Sequence, residues 1–296
     1  MALKQSENDL DYSVWLTVSC GRGRKGQSMR KIILATVALI VLSFSAAAKE
    51  RVICTVAIEI GSDKTVLQEG ECNKRISSAS TFKVAISLMG FDSGIFTSLS
   101  EPKWPFKEGY VDWNPKWRQV TTPQSWMRDS VVWFSQLTTE RLGAKTFEAY
   151  VDAFDYGNGD VSGDVDKDNG LTHAWLSSSL QISPREQVDF LTRMIEGKLP
   201  VDPTAVEQTK RLMQLDQQPR GWHIYGKTGA GLPFSDDGEL LKGQPFGWYV
   251  GWAEKDDRTV VFARLLRFSE RPENTPGAIA RDGLLSVLFG SDGALK

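Results

Sequence analysis

Ser80-Thr81-Phe82-Lys83-Val84-Ala85-Ile86-Ser87-Leu88-Met89-Gly90 sets a hydroxyl and an amine three residues apart at the head of an apolar run. The run reads as a core helix, and Ser77, Ser78 and Ser80 are the residue types that begin helices. Residues three apart on a helix share a face, so Lys83 rises beside Ser80 one turn on. At the positive end of the helix dipole a developing Ser80 alkoxide is stabilised. The pair reads as a nucleophile and its base. Alone the tetrad is a weak signal, because average composition yields about one Ser-x-x-Lys by chance in a chain this long.

Three polar triplets follow it in order: Ser130-Val131-Val132, Tyr156-Gly157-Asn158 and Lys227-Thr228-Gly229. Each is bordered by apolar segments that could bring it to one cleft. A Lys-Thr-Gly triplet arises by chance only on the order of 0.1 times in such a chain, and the joint order is much rarer.

With these four motifs the chain resembles the class D serine β-lactamases, whose pattern is Ser-x-x-Lys, Ser-x-Val, Tyr-Gly-Asn and Lys-Thr-Gly. The resemblance runs from about Val52 to the C-terminus and takes in Ser178 to Ser183 and Tyr225 to Gly231. Class A enzymes match less well, since they carry Ser-Asp-Asn where this chain has Ser130-Val131-Val132. Their acidic deacylation residue has no evident counterpart here.

The fold implied is α/β (α+β), the serine β-lactamase and penicillin-binding transpeptidase-like architecture: an antiparallel sheet flanked by helices, plus a helical subdomain. Local signals agree. Val52 to Ile60 alternates like a strand, Gly61-Ser62-Asp63-Lys64 reads as a turn, and Thr65 to Gln68 as the returning strand. Phe246 to Ala253 and Thr259 to Leu266 read as a second hairpin, with Lys227-Thr228-Gly229 on the strand before it. Gly277 to Phe289 reads as a terminal helix. Ser183-Pro184-Arg185-Glu186 is a capping box with Pro at the first helical position, opening a helix that ends near Gly197.

The resemblance also supplies roles. Ser80 is the acylating nucleophile, and the backbone N–H groups of Ser80 and Ala230 form the oxyanion hole, where a lost donor costs about 3 kcal/mol. Ser130 relays a proton to the leaving nitrogen, with Lys227 supporting it. Thr228 and Gly229 belong to the substrate-binding strand, with Thr228 on the substrate carboxylate. Val132, Tyr156 and Asn158 shape the cleft. Arg281 is either a second carboxylate partner or a surface helix charge.

Lys83 poses a physical problem. An ordinary lysine is only about 0.04% neutral at pH 7, a penalty of about 4.6 kcal/mol for use as a base. Burial disfavours the ammonium, and Phe82, Val84 and Val132 are apolar candidates for its pocket. In class D enzymes the neutral amine takes up carbon dioxide, so the implied cofactor is carbon dioxide, by N6-carboxylation of Lys83, with no metal. A buried carbamate needs donors, and an indole N–H is a donor only. Trp175, in Ala174-Trp175-Leu176, matches the family's carbamate-holding tryptophan; as one of ten tryptophans it could equally be a core aromatic on spacing alone.

Composition suits an exported globular enzyme of 296 residues, 41% hydrophobic and 24% charged. The net charge is −2, and six Lys/Arg against three Asp/Glu lie in residues 1 to 48, so the remainder is more acidic still. No basic face for nucleic acid is implied. Met29-Arg30-Lys31, the apolar Ile32 to Phe44 and Ser45-Ala46-Ala47-Ala48 form a secretory signal, with cleavage expected after Ala48. The apolar part is shorter than the roughly 20 residues of a membrane span. Residues 1–28 read as an upstream extension before a true start at Met29, or as an extension holding the protein in the inner membrane. Residues 49–296 form the catalytic domain, expected in the periplasm as a monomer or homodimer.

Cys20 falls in the leader, leaving Cys54 and Cys72 as either a disulfide or a buried thiol pair. Asp164 to Gly170 imitates the opening of a calcium loop, but Asn169 replaces its glycine and Trp175 its bidentate Glu, so a solvated acidic loop is the reading. His173 and His223, the only histidines, belong to no zinc pattern. Trp104 to Trp117 could rim the cleft or pack as an aromatic cluster. Two other functions use the same serine: a non-hydrolytic β-lactam sensor domain, and a D,D-peptidase.

Overall fold

A computed structural model describes residues 50–62, 64–235 and 239–295. The expected extension at 1–28 and the signal at 29–48, with Cys20, lie outside the described residues, as does Asp63 of the first turn.

In chain order the elements are β1 (Glu50–Glu59), β2 (Lys64–Gly70), β3 (Ile76–Ser77), α1 (Lys83–Asp92), α2 (Pro123–Asp129), α3 (Val132–Leu142), α4 (Ala144–Ala153), α5 (Gly170–His173), β4 (Gln181–Ile182), α6 (Pro184–Ile195), α7 (Pro203–Met213), β5 (His223–Gly231), β6 (Phe246–Lys255), β7 (Arg258–Phe268) and α8 (Pro276–Phe289). The long strands form an antiparallel sheet in the order β2-β1-β7-β6-β5, and β3 pairs with β4 in a separate ribbon. Strand β5 is therefore an edge.

Period-2 alternation divides the sheet between two cores. Trp248, Val250 and Trp252 of β6 and Val261, Ala263 and Leu265 of β7 belong to the core shared with α6 and the helical region. Tyr249, Ala253, Val260, Phe262 and Leu266 face the opposite core, closed by Ala280, Leu284 and Leu288 of α8. Because both faces are covered, β6 and β7 read as nearly unbroken apolar runs, and each large apolar side chain so buried contributes about 1.5–3 kcal/mol.

Helix α6 begins as its sequence dictates. Ser183 Oγ accepts from Glu186 N at 3.3 Å while Glu186 Oε2 accepts from Ser183 N at 2.8 Å, with Pro184 at the first helical position. A second reciprocal cap, Thr122 with Ser125, opens α2. It was not legible because serine replaces the acidic partner of the usual box.

The start of α1 departs from expectation. A 3₁₀ turn, Ala79–Phe82, precedes the helix, which begins only at Lys83, and neither Ser78 nor Phe82 makes a side-chain cap. The serine hydroxyl expected to serve the helix end is engaged elsewhere: Ser77 Oγ bonds the segment at Trp175. Ala79, at φ +47°, turns the chain through the left-handed region, which costs a non-glycine residue about 1–2 kcal/mol.

Cys54 on β1 and Cys72 beyond β2 are joined as a disulfide, with their Cα atoms 5.0 Å apart. Gly70 makes this return possible. It is paired opposite Cys54 at φ +76°, and a Cβ there would lie 2.1 Å from Ile53 O. Among the described residues no helix is long and apolar enough to cross a membrane.

Candidate active site

Three elements meet at one end of β5. The first is the 3₁₀ turn, which leaves Ser80 half-buried and leads into a fully buried Lys83. Lys83 Nζ lies 3.4 Å from Ser80 Oγ. Burial, and second the nearby charge of Lys227, hold its amine well below the usual lysine range. A neutral amine within reach of a hydroxyl is a competent proton acceptor.

The second element is the link between α2 and α3, a single residue pair bent by Ser130 in the left-handed conformation (φ 59°, ψ 38°). That bend aims Ser130 Oγ at Lys227 Nζ, 2.9 Å away. Val131 and Val132 beside it are buried, at 0% and 3% exposure, which shuts water from that side.

The third is β5 itself. Lys227 is buried, and its Nζ also donates to Thr228 O at 2.9 Å and lies 3.5 Å from Thr228 Oγ1. Desolvation brings its pKa down to about 7. Among the described residues no carboxylate contributes to the shift of either lysine.

Glycine in the third triplet follows from packing. A Cβ at Gly229 would stand 3.1 Å from Thr81 Cγ2 and 3.2 Å from Thr81 N, so its absence lets β5 close on the nucleophile turn. On the other side Gly277 of α8 approaches Gly229 O, which a Cβ would meet at 2.8 Å. Ala230 follows, exposed, on the edge strand, whose outer side is bridged nearer its start, where Tyr225 pairs with Gln214 and Ile224 O accepts from Leu215 N at 2.8 Å.

The second triplet plays another part. Tyr156 is 1% exposed and packs its ring 5.0 Å from that of Phe82, buried against the turn that carries Ser80. The cause is the apolar bed of Phe82 and Phe190 into which its ring is drawn. Gly157 is left-handed at φ +63°, and a Cβ there would lie 2.1 Å from Gln181 O. Asn158 staples its loop to β4, donating to Ser179 O at 2.8 Å and accepting from Gln181 N at 2.9 Å.

Trp175 is fully buried, its ring 5.5 Å from that of Phe82, and its indole N–H has no hydrogen-bond partner among the described residues. A buried donor without an acceptor costs about 1–3 kcal/mol. Its presence against the residue preceding Lys83 fits an anionic acceptor on the lysine. Arg281, half-exposed, bonds Asp282 at 2.8 Å. The aromatic segment packs on α3: Tyr110 stacks on Trp133 at 5.4 Å and Trp104 on Phe134 at 4.5 Å, leaving Trp113 outermost at 69% exposure. In the acidic loop Asp164 is occupied by Asn169 and Lys167.

Two positions went unremarked in the sequence. Gln187, the residue after the capping box, is buried and donates to Thr81 Oγ1 at 2.8 Å and to Tyr156 OH at 3.5 Å. Ser77 was read only as a helix starter. For Gln187 the available signal was a polar residue on the apolar face of α6; the polar surroundings of Ser77 offered none.

A penicillin-binding protein transpeptidase domain matches residues 46–283. The chain is 43% identical over 270 residues to β-lactamase OXA-9 of Klebsiella pneumoniae, covering 88% of this chain and 97% of that one. To β-lactamase OXA-1 of Escherichia coli it is 38% identical over 225 residues, covering 74% and 77%. The crystal structure of the class D β-lactamase OXA-427 superposes with a TM-score of 0.75 at 43% identity, covering 79% of this chain and 96% of that one. At 43% identity over most of its length to OXA-9 and to OXA-427, the chain belongs to the class D β-lactamases, hydrolases that open β-lactam rings and so confer resistance to those antibiotics.

Proposed function

We propose that the protein hydrolyses penicillins through an acyl-enzyme on Ser80, with Lys83 carboxylated by carbon dioxide. The single observation that carries this is a fully buried Lys83 with no carboxylate partner, in the same core as an indole N–H that has no acceptor. When bound, the carboxyl group supplies a general base that an ammonium could not. Trp175 Nε1 would donate to it, and the half-buried Ser80 Oγ faces it from the turn.

Ser80 Oγ forms a bond to the lactam carbonyl carbon as its proton leaves toward the Lys83 side. The N–H groups of Ser80 and Ala230 receive the oxyanion. The carbon–nitrogen bond then breaks, the nitrogen takes the proton of Ser130 Oγ, and Lys227 Nζ, which donates to that oxygen at 2.9 Å, returns a proton to it, the proton released by Ser80 making good the loss. Thr228, beside Lys227 on the edge strand, binds the substrate carboxylate, and Arg281 is a further candidate for it. Water entering from the Lys83 side cleaves the Ser80 ester and releases the ring-opened acid. The apolar wall of Val131 and Val132 limits competing water at the leaving group. We assign the mature enzyme, residues 49–296, to the periplasm after cleavage of 29–48.

Turnover of benzylpenicillin with and without bicarbonate, with intact-mass analysis during the reaction, tests this. Turnover that rises with bicarbonate and is lost in Lys83→Ala is expected. A stable one-to-one adduct on Ser80 without product release would instead make this a sensor or cell-wall enzyme.

A further inference from the structure

One hydroxyl, that of Ser77, holds two backbone groups on either side of Leu176. Its Oγ donates to Trp175 O at 2.8 Å and accepts from Ser177 N at 2.9 Å. Ser77 is itself immobilised. It pairs with Gln181 across the β3–β4 ribbon, its carbonyl accepts from Trp248 Nε1 at 3.0 Å, and it is only 5% exposed. It also lies three residues ahead of the nucleophile, joined to it through the strained Ala79 turn.

Backbone bonds hold the residues around the grip, from Ala174 N to Gly170 O at 3.1 Å, Leu176 N to His173 O at 2.8 Å and Leu180 N to Ala174 O at 2.9 Å, but among the described residues none is made by Trp175 or Ser177 themselves. Ser177 sits in the left-handed region at φ +53°, and its own hydroxyl accepts from Leu232 N at 3.0 Å, just past the end of β5. Trp175 presents a buried indole N–H with no partner. An indole packed in a close-fitting core keeps its rotamer, so the backbone position of residue 175 sets where that N–H points. A displacement of about 0.5–1 Å is enough to take a donor out of hydrogen-bond range.

We infer that Ser77 is a positioning residue for carbon dioxide uptake: by pinning the backbone at Trp175 and Ser177 it places the Trp175 indole N–H for the carboxylated Lys83 side chain. The inference rests on the reading of Lys83 given above. In Ser77→Ala, two backbone groups lose their shared partner and the indole is freed to drift, so Lys83 holds its carboxyl group less tightly while the amine itself is untouched.

Carbon-13 NMR of the protein equilibrated with 13C-bicarbonate reads this directly, through the carbamate signal per mole of protein. The bicarbonate concentration for half-loading should rise on the order of tenfold in Ser77→Ala, the loss of roughly one to two hydrogen bonds. Ser77→Thr, which keeps the hydroxyl, should restore loading. Thr209→Val, which removes an equally buried hydroxyl bonded to Ser87 at 2.8 Å, should lower the melting temperature comparably and leave loading at the wild-type level. If Ser77→Ala does not fold, Ser77→Cys keeps the shape with a weaker hydrogen-bonding group and is read the same way. Wild-type loading in the folded Ser77 variant, with Lys83→Ala silent, overturns the inference and leaves the Lys83 reading standing. No carbamate signal in the wild type at saturating bicarbonate removes that reading and the inference with it.

Discussion

Lys227 Nζ reaches Ser130 Oγ at 2.9 Å, across the gap between the edge strand and the bend joining α2 to α3. Two hydroxyls thus have separate amines: Ser80 has Lys83, and Ser130 has Lys227. The proposed mechanism divides attack and leaving-group protonation between the two pairs. Ser130→Ala should slow acylation by about 10²–10³-fold, the scale of a lost proton relay, with little change in melting temperature. Single-turnover kinetics followed by intact mass measures it, and an unchanged acylation rate would remove Ser130 from the proton path.

Burial of Lys227 has a thermodynamic signature. Its folded pKa, about 7, lies below the unfolded value, so between about pH 7 and 10.4 the unfolded chain binds more protons than the folded one. Stability therefore rises with pH through that window, and Lys83, displaced in the same direction, adds to the slope. Lys227→Met should be more stable than the wild type near pH 6 and show a flatter pH profile. Urea unfolding at pH 6, 7.5 and 9 in carbonate-free buffer decides it, an equal slope in both proteins being the contrary result.

Trp175→Phe keeps a ring in the Phe82 core and deletes the unpartnered indole N–H beside it. Deacylation should fall more than acylation, giving a burst of product followed by accumulation of the Ser80 ester. Stopped-flow hydrolysis with mass detection of the ester checks this. Uniform slowing of both steps would mean that the indole acts only through packing.

The two motif glycines should fail differently. Gly157→Ala forces a Cβ within 2.1 Å of Gln181 O at a left-handed backbone, and a loss of about 2 kcal/mol or more is expected. Gly229→Ala meets Thr81 at 3.1 Å, a contact that yields by a few tenths of an ångström at the nucleophile turn. It should cost activity on the order of tenfold and little stability, as read by kcat and thermal melting together.

The Cys54–Cys72 bridge closes a loop between residues 18 apart and ties β1 to the segment that leads through β3 to Ser80. The double substitution Cys54→Ala with Cys72→Ala should destabilise the protein by about 3 kcal/mol on the chain-entropy scale. Denaturant unfolding of both proteins measures it; equal midpoints would show that the reduced chain already holds this loop.

Much of this architecture was legible where local chemistry and tertiary context agree. Both hairpins, the α6 capping box and α8 lie within a few residues of where their patterns put them, and Lys227-Thr228-Gly229 lies on the strand before the β6–β7 hairpin, although that this strand is an edge was not legible. The head of α1 was not, because a serine next to an apolar run signals a helix cap only if its hydroxyl is free, and Ser77 is bound to a segment about a hundred residues away. The burial of Tyr156 was not legible for a related reason. Its motif carries order along the chain but not which side of the Ser80 turn the ring enters.

Ser130 holds a backbone shape that a glycine would adopt without strain, at a cost of about 1–2 kcal/mol to the folded chain. Any pressure toward a more rugged protein, in the laboratory or in nature, would therefore favour replacing this serine, and on the proposed mechanism would slow the enzyme in doing so. Robustness and resistance pull in opposite directions at this one residue, so attempts to harden the enzyme must leave it alone and look for their gains in the sheet.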